Sequence, residues 1–157
     1  MTAAAQPSSD LGILVLLAYQ GFVRQLHDDM ARHGHDDLGR SDGVVFRMLN
    51  AGPRTVSDLA GRLEVTKQGM AQIIEDIERR GYVVRRPDPD DGRARLVELS
   101  ARGRAALEVA RQFHRDYERR LLAAHGPDAI RTLRSLLEDM AGAAPDGLDR
   151  ELRGLYL

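Results

Sequence analysis

The chain has 157 residues, no cysteine and a net charge of −1, with 43% apolar and 30% charged side chains. That composition is ordinary for one globular domain with its own core, and it excludes disulfides, thiolate metal sites and thiol redox sensing. The longest apolar run, residues 13–19, is far too short to cross a bilayer. It has no basic segment before it and no small-residue cleavage site after it, so no membrane partner is expected and the cytoplasm is the expected location.

Residues 1–9 are small and polar and are expected to be disordered. Asp10 then caps a long first helix that runs to about Met30, with Leu11, Leu14, Val15, Ala18, Phe22 and Leu26 at helical spacing. Residues 32–39, rich in His, Asp and Gly, form a loop. Ser41 is the expected N-cap of a short second helix with Val45, Met48 and Leu49 inward, stopped by Asn50, Ala51, Gly52 and Pro53. Thr55 to Asp58 has the spacing of a capping box and opens a third helix on Val56, Leu59, Ala60 and Leu63. Thr66 caps a fourth, whose inward stripe is Met70, Ile73, Ile74 and Ile77, and Gly81 suits its left-handed exit. Residues 82–86 and 95–99 are β-prone and flank a polar turn at 87–92, the pattern of a hairpin. Ser100 caps a long fifth helix with Leu107, Ala110, His114, Tyr117 and Leu121 on one face. Gly126 and Pro127 break it and start a sixth helix carrying Ile130, Leu133, Leu136, Leu137 and Met140. A loop at 143–149 and a short turn carrying Leu152, Leu155 and Leu157 complete the expected order, with no internal repeat.

The third and fourth helices are separated by two or three residues, the spacing of a helix-turn-helix. In such a pair the first helix braces and the second offers its solvent face to the DNA major groove, N-terminal residues first. Opposite the apolar stripe of the fourth helix lie Thr66, Lys67, Gln68, Ala71, Gln72 and Glu75. Thr66 and Lys67 suit phosphate, and Gln68 and Gln72 have the paired donor and acceptor that adenine requires. Gly69 costs the helix about 1 kcal/mol relative to alanine, which a closer approach to DNA would offset. Charge is distributed accordingly: residues 1–53 hold 4 basic and 6 acidic side chains, 54–104 hold 11 and 9, and 105–157 hold 8 and 9. Arg85, Arg86, Arg93, Arg95, Arg102 and Arg104 cluster in and around the hairpin. Directly after a helix-turn-helix they read as a wing whose arginines enter a minor groove.

Two stretches in register, residues 91–103 with Asp91, Arg93, Leu99, Ser100 and Gly103, and residues 66–81, resemble the MarR family of winged helix-turn-helix regulators, and the likeness extends over about residues 10–142. The resemblance implies a mainly α fold with a short β-hairpin wing. It implies a single domain at 10–157, with a DNA-binding lobe at 40–104 and dimerisation helices at 10–38 and 105–157. It further implies a homodimer on pseudo-palindromic double-stranded DNA, usually as a repressor. In that picture Arg93 inserts at the wing tip and Asp91 orients it by a charge-assisted bond; Arg86 and Arg95, from the cluster around the hairpin, are further candidate DNA contacts. Gly92 stands where a second arginine is common, and Gly69 where a hydroxyl residue or alanine is usual. Many members release DNA on binding a small aromatic effector, and Tyr19, Phe22, Val23, His27, Met30 and Phe46 are candidates to line such a pocket, or to serve as core or dimer contacts.

Two other readings stay open at this point. His27, His33 and His35 with Asp28, Asp29, Asp36, Asp37 and His114 are residue types that bind zinc, which would make the chain a metal-responsive regulator. Winged helices also serve as protein-interaction modules, which need an exposed apolar patch on the fourth helix; Thr, Lys and Gln stand there instead. An enzyme is not expected: no cysteine nucleophile, G-x-S-x-G elbow or phosphate-binding glycine motif is present, and no cofactor is implied.

Overall fold

The computed structural model describes residues 10–142; the disordered start at 1–9, the loop at 143–149 and the terminal turn expected from sequence lie outside the described residues. The chain divides into two compact units, with the division between Asp36 and Asp37. The first holds α1 (Leu11–Arg32). Asp10 caps it by accepting from the Gly12 N–H at 2.8 Å. Gly34, at φ +81°, ends it in a left-handed turn that branched side chains avoid. Leu11, Ile13, Leu14, Leu16 and Leu17 are exposed, and Met30 is buried.

The second unit runs α2 (Asp42–Asn50), β1 (Arg54–Thr55), α3 (Val56–Arg62), α4 (Lys67–Arg79), β2 (Val83–Pro87), β3 (Arg95–Leu99), α5 (Ala101–His125) and α6 (Pro127–Ala141). The sheet has three antiparallel strands in the order β1-β3-β2. The hairpin register pairs Val83 with Leu99 and Arg85 with Val97. β1 is an addition to the expected hairpin. It is only two residues long and carries no alternation that sequence could reveal.

Val44, Val45, Phe46 and Leu49 of α2, Leu59 and Leu63, Met70, Ile74 and Ile77 of α4, Tyr82, Val83, Val97 and Leu99 are buried together as the core of this unit. Burying each such aliphatic side chain is worth about 1.5–3 kcal/mol, and this core fixes α4 in place. Ile73, expected inward, is half-buried. Ser41 stands at the N-cap of α2 as expected, but it has helical dihedrals and makes no side-chain cap bond; a serine in that conformation cannot turn its hydroxyl to the first-turn N–H groups. The carboxylate of Asp42 takes the Gly39 N–H instead, at 2.7 Å.

The buried residues of α5 are Gly103, Ala106 and Phe113, not the large stripe expected from spacing. Leu107, Ala110, Tyr117 and Leu121 are half-buried and His114 is exposed. Small residues face the sheet because the helix lies so close to it: a Cβ at Gly103 would sit 2.1 Å from the Tyr82 carbonyl oxygen. Helix α6 starts at Pro127 after Gly126, whose φ is +80°, and buries none of its residues. Leu133, Leu136, Leu137 and Met140 are between 44% and 55% exposed.

Candidate nucleic-acid interface

The link between α3 and α4 is a tight left-handed exit. Glu64 takes φ +52°, and the Val65 N–H donates back to the Ala60 carbonyl at 3.0 Å, the double closure by which helices are stopped. A non-glycine residue in that conformation costs about 1–2 kcal/mol, which the burial of Leu59 and Leu63 on either side of the α3 terminus offsets.

At the start of α4 the Thr66 hydroxyl oxygen accepts from the Gly69 N–H at 3.0 Å. A Cβ at Gly69 would stand 3.1 Å from that oxygen, so the glycine makes room for the cap. Lys67, Gln68 and Gln72 are exposed, and no acidic residue occupies the first turn. The partial positive charge of the helix N-terminus therefore faces solvent beside a lysine, an arrangement that attracts phosphate. Among the described residues the side chains of Lys67, Gln68 and Gln72 have no hydrogen-bond or ion-pair partner.

At the wing tip the Asp88 N–H donates to the Ala94 carbonyl at 3.1 Å and the Ala94 N–H to the Asp91 carbonyl at 2.9 Å. The Asp91 carboxylate accepts the main-chain N–H of Arg93 at 3.0 Å. Asp91 thus shapes the turn through the backbone, not by the expected bond to the Arg93 guanidinium. Arg93 and Arg95 are exposed and have no side-chain partner among the described residues.

The arginine cluster seen in the sequence separates in space. Arg86 is paired across the hairpin with Glu98 at 2.9 Å. Arg85 turns toward Glu78, at 3.2 Å, with Nε and Nη2 buried and without a well-aligned acceptor. Arg104 donates to the Leu99 carbonyl at 2.6 Å, and Arg102 to the Arg80 carbonyl at 2.7 Å. Only the tip residues, Arg93 and Arg95, keep the free charge that the whole run was expected to offer.

A second group at the far end of α4 escaped the sequence reading. Arg80 holds the Asp42 carboxylate with both terminal nitrogens, at 2.5 and 3.1 Å. It also donates to Asp76 at 2.6 Å and to the Asp37 carbonyl at 2.7 Å. The Tyr82 hydroxyl donates to the Asp37 carboxylate at 2.5 Å, Arg102 does so at 3.1 Å, and the Arg102 guanidinium lies 4.4 Å over the Tyr82 ring. At Asp37 burial opposes ionisation, but the Tyr82 hydroxyl and the Arg102 charge outweigh it and hold the carboxyl below its ordinary value. At Asp76 the hydrogen bonds from Arg79 and Arg80 do the same. At Tyr82 burial and the bond to Asp37 push the phenol above its usual range. A cleft of about 270 Å³ beside this group is lined by Arg40, Asp42, Gln72, Ile73, Asp76 and Arg80 among others. The Asp76–Arg80 pair has the i,i+4 spacing of a helix face, but no pattern marks the bonds to Asp42 and Asp37, whose partners are 38 or more residues apart in the chain.

The effector candidates fall in both units. Tyr19 and His27 on α1 are exposed, Phe22 and Val23 half-buried and Met30 buried. Phe46 on α2 is buried, its ring 5.4 Å from that of Tyr82. His33 Nδ1 lies 2.8 Å from the Asp29 carbonyl oxygen. Among the described residues no three of the His, Asp and Glu side chains are gathered as a metal would need, and no helix is long and apolar enough to cross a membrane.

Comparison with known proteins agrees with this geometry. The family model described as MarR family matches residues 36–94. An HTH-type transcriptional repressor of Mycobacterium tuberculosis is 33% identical over 98 residues, covering 62% of this chain and 70% of that protein. The HTH-type transcriptional regulator PetP of Rhodobacter capsulatus is 28% identical over 131 residues, covering 83% of this chain and 77% of its own. Among solved structures, a cysteine-to-serine mutant of MarR from E. coli complexed with operator DNA has a TM-score of 0.60 at 26% identity, over 83% of this chain and 92% of that one. YusO from Bacillus subtilis reaches a TM-score of 0.68 over 91% of this chain and 100% of its own; at 19% identity that is a likeness of fold.

Proposed function

The chain belongs to the MarR family, is a transcription regulator and not an enzyme, and on that premise we propose that it is a ligand-responsive repressor that binds a pseudo-palindromic operator as a homodimer. The observation that carries the reading is the polar N-terminal face of α4, where Lys67, Gln68 and Gln72 are exposed and unpartnered among the described residues while Met70, Ile74 and Ile77 are buried behind them. Amide side chains at such a face suit adenine in the major groove, and Thr66 and Lys67 suit the phosphates beside it. Arg93 and Arg95 at the wing tip suit the neighbouring minor groove, with Asp91 shaping the turn. Arg86, bonded to Glu98, serves the interface only if that pair opens or shares a phosphate.

A homodimer is supported by α6, which keeps Leu133, Leu136, Leu137 and Met140 exposed. On α1, Leu11, Leu14 and Leu17 are also exposed. Apolar faces of this kind are what obligate dimers cover. The repressor role rests on the mycobacterial relative, itself a transcriptional repressor. Candidate contacts for a small aromatic effector are Tyr19, Phe22, His27 and Met30 on α1 and Phe46 on α2. Hydroxyl-radical footprinting on the DNA upstream of the gene tests the reading. Two protected windows separated by about one helical turn, roughly 10 base pairs, are expected. A single half-site window contradicts the dimer, and no protection contradicts the DNA reading.

A further inference from the structure

The two ends of α4 are built for different tasks. Its N-terminal residues are free, whereas its C-terminal end is fixed by the Arg80 cluster. The Asp42 side chain is only 3% exposed and that of Arg80 only 17%. Each guanidinium nitrogen of Arg80 donates: Nε to Asp76 at 3.0 Å, Nη1 to Asp42 and to the Asp37 carbonyl, and Nη2 to Asp42 and Asp76. The Arg80 carbonyl is in turn held by Arg102 from the first turn of α5, and Arg102 and Tyr82 close the ring on Asp37. One side chain thus joins the end of α4 to the start of α2, and its backbone joins that end to the start of α5.

Such clusters often add little net stability, because desolvation offsets much of the attraction, and in some proteins they are retained because they fix one geometry among several. The geometry at stake here is the tilt of α4. The helix has 13 residues, so its axis is about 20 Å long. A rotation of about 5° at the Arg80 end displaces the Lys67 end by roughly 2 Å, enough to break a hydrogen bond to a base edge. Phosphate contacts by flexible, charged side chains tolerate such a shift far better. Gln72 also lines the cleft beside the cluster, so the proposed base-reading face and the anchor share one wall.

We propose that Arg80 is a positioning residue for DNA recognition: bound to Asp42, Asp76 and Asp37, it sets the angle of α4 and thereby controls discrimination between operator and random DNA without touching either. The proposal rests on the operator-binding reading above. Lysine keeps the charge of Arg80 but replaces a planar fork of donors by a single point.

The test is Arg80→Lys, titrated by fluorescence anisotropy against the upstream duplex and a scrambled duplex, well below its melting temperature. Operator affinity is expected to fall about tenfold or more, with binding to the scrambled duplex and its salt slope unchanged. Equal losses on both duplexes, or none on either, overturn the proposal. Should Arg80→Lys fail to fold, Arg102→Lys decides, since Arg102 is 40% exposed and lies at the rim of the cluster. A loss of about threefold confined to the operator supports the proposal, and an unchanged operator-to-random ratio overturns it. The two readings fail separately: a wild-type protein without preference removes the operator reading, whereas a wild-type preference that these variants keep removes only the role of Arg80.

Discussion

Arginine behaves oppositely in two regions that are close in sequence. At the wing tip, Arg93 and Arg95 are exposed and unpartnered among the described residues. At the end of α4 and the base of the wing, Arg80, Arg85, Arg86, Arg102 and Arg104 are turned onto carboxylates or carbonyls of the fold. Charge in a sequence therefore does not mark a nucleic-acid surface until it is known which side chains the fold itself engages. The same division runs along α4, free at Lys67, Gln68 and Gln72 and anchored at Asp76 and Arg80.

The anchored region is where the largest loss of stability is expected. Gly103→Ala places a Cβ 2.1 Å from the Tyr82 carbonyl oxygen, and the resulting overpacking costs about 3 kcal/mol or more. Chemical denaturation measures it; a loss under about 1 kcal/mol would mean that α5 moves away from the sheet easily. In the free region stability should stay constant while binding changes. Gln72→Ala is expected to lose about 1–3 kcal/mol on the operator and nothing on random DNA, and equal losses would make Gln72 a phosphate contact. Arg93→Ala is a smaller change, lowering the salt slope of binding by about one with stability altered by less than about 0.5 kcal/mol. If Arg86→Ala lowers the slope equally, the Glu98 pair does not separate base from tip.

The smallest effect expected is the pH dependence contributed by the anchoring carboxylates. Asp37 and Asp76 titrate below their ordinary value of 3.8 when folded. Their contribution is therefore complete above the unfolded value and is lost as the pH falls through the lower folded values. Asp37→Asn should flatten the acid limb of the stability curve below that point, and an unaltered limb would place the acid sensitivity elsewhere.

Most of the fold was legible because it depends on local chemistry. The caps at Asp10, Thr55, Thr66 and Ser100 each accept a first-turn N–H as expected, and the two β-prone stretches pair as an antiparallel hairpin. Ser41 misled because residue type does not fix dihedral angle. The buried side of α5 was missed because Gly103 and Ala106 signal close approach, which an apolar count overlooks. The polar face of α4 was readable from spacing alone. The Arg80 cluster was not, since Asp37 and Asp42 reach Arg80, Tyr82 and Arg102 only through tertiary folding, and Arg102 looked like part of the wing.

The most direct test of the central claim, that the free end of α4 and the wing tip read an operator, is an anisotropy titration of the wild-type protein. The probes are the duplex upstream of its gene and a scrambled duplex, each at low and moderate salt. A preference of about a thousandfold or more for the upstream duplex, with strong salt dependence on both, is the expected result. Weak binding without preference would contradict the claim and leave the polar face of α4 without a nucleic-acid role.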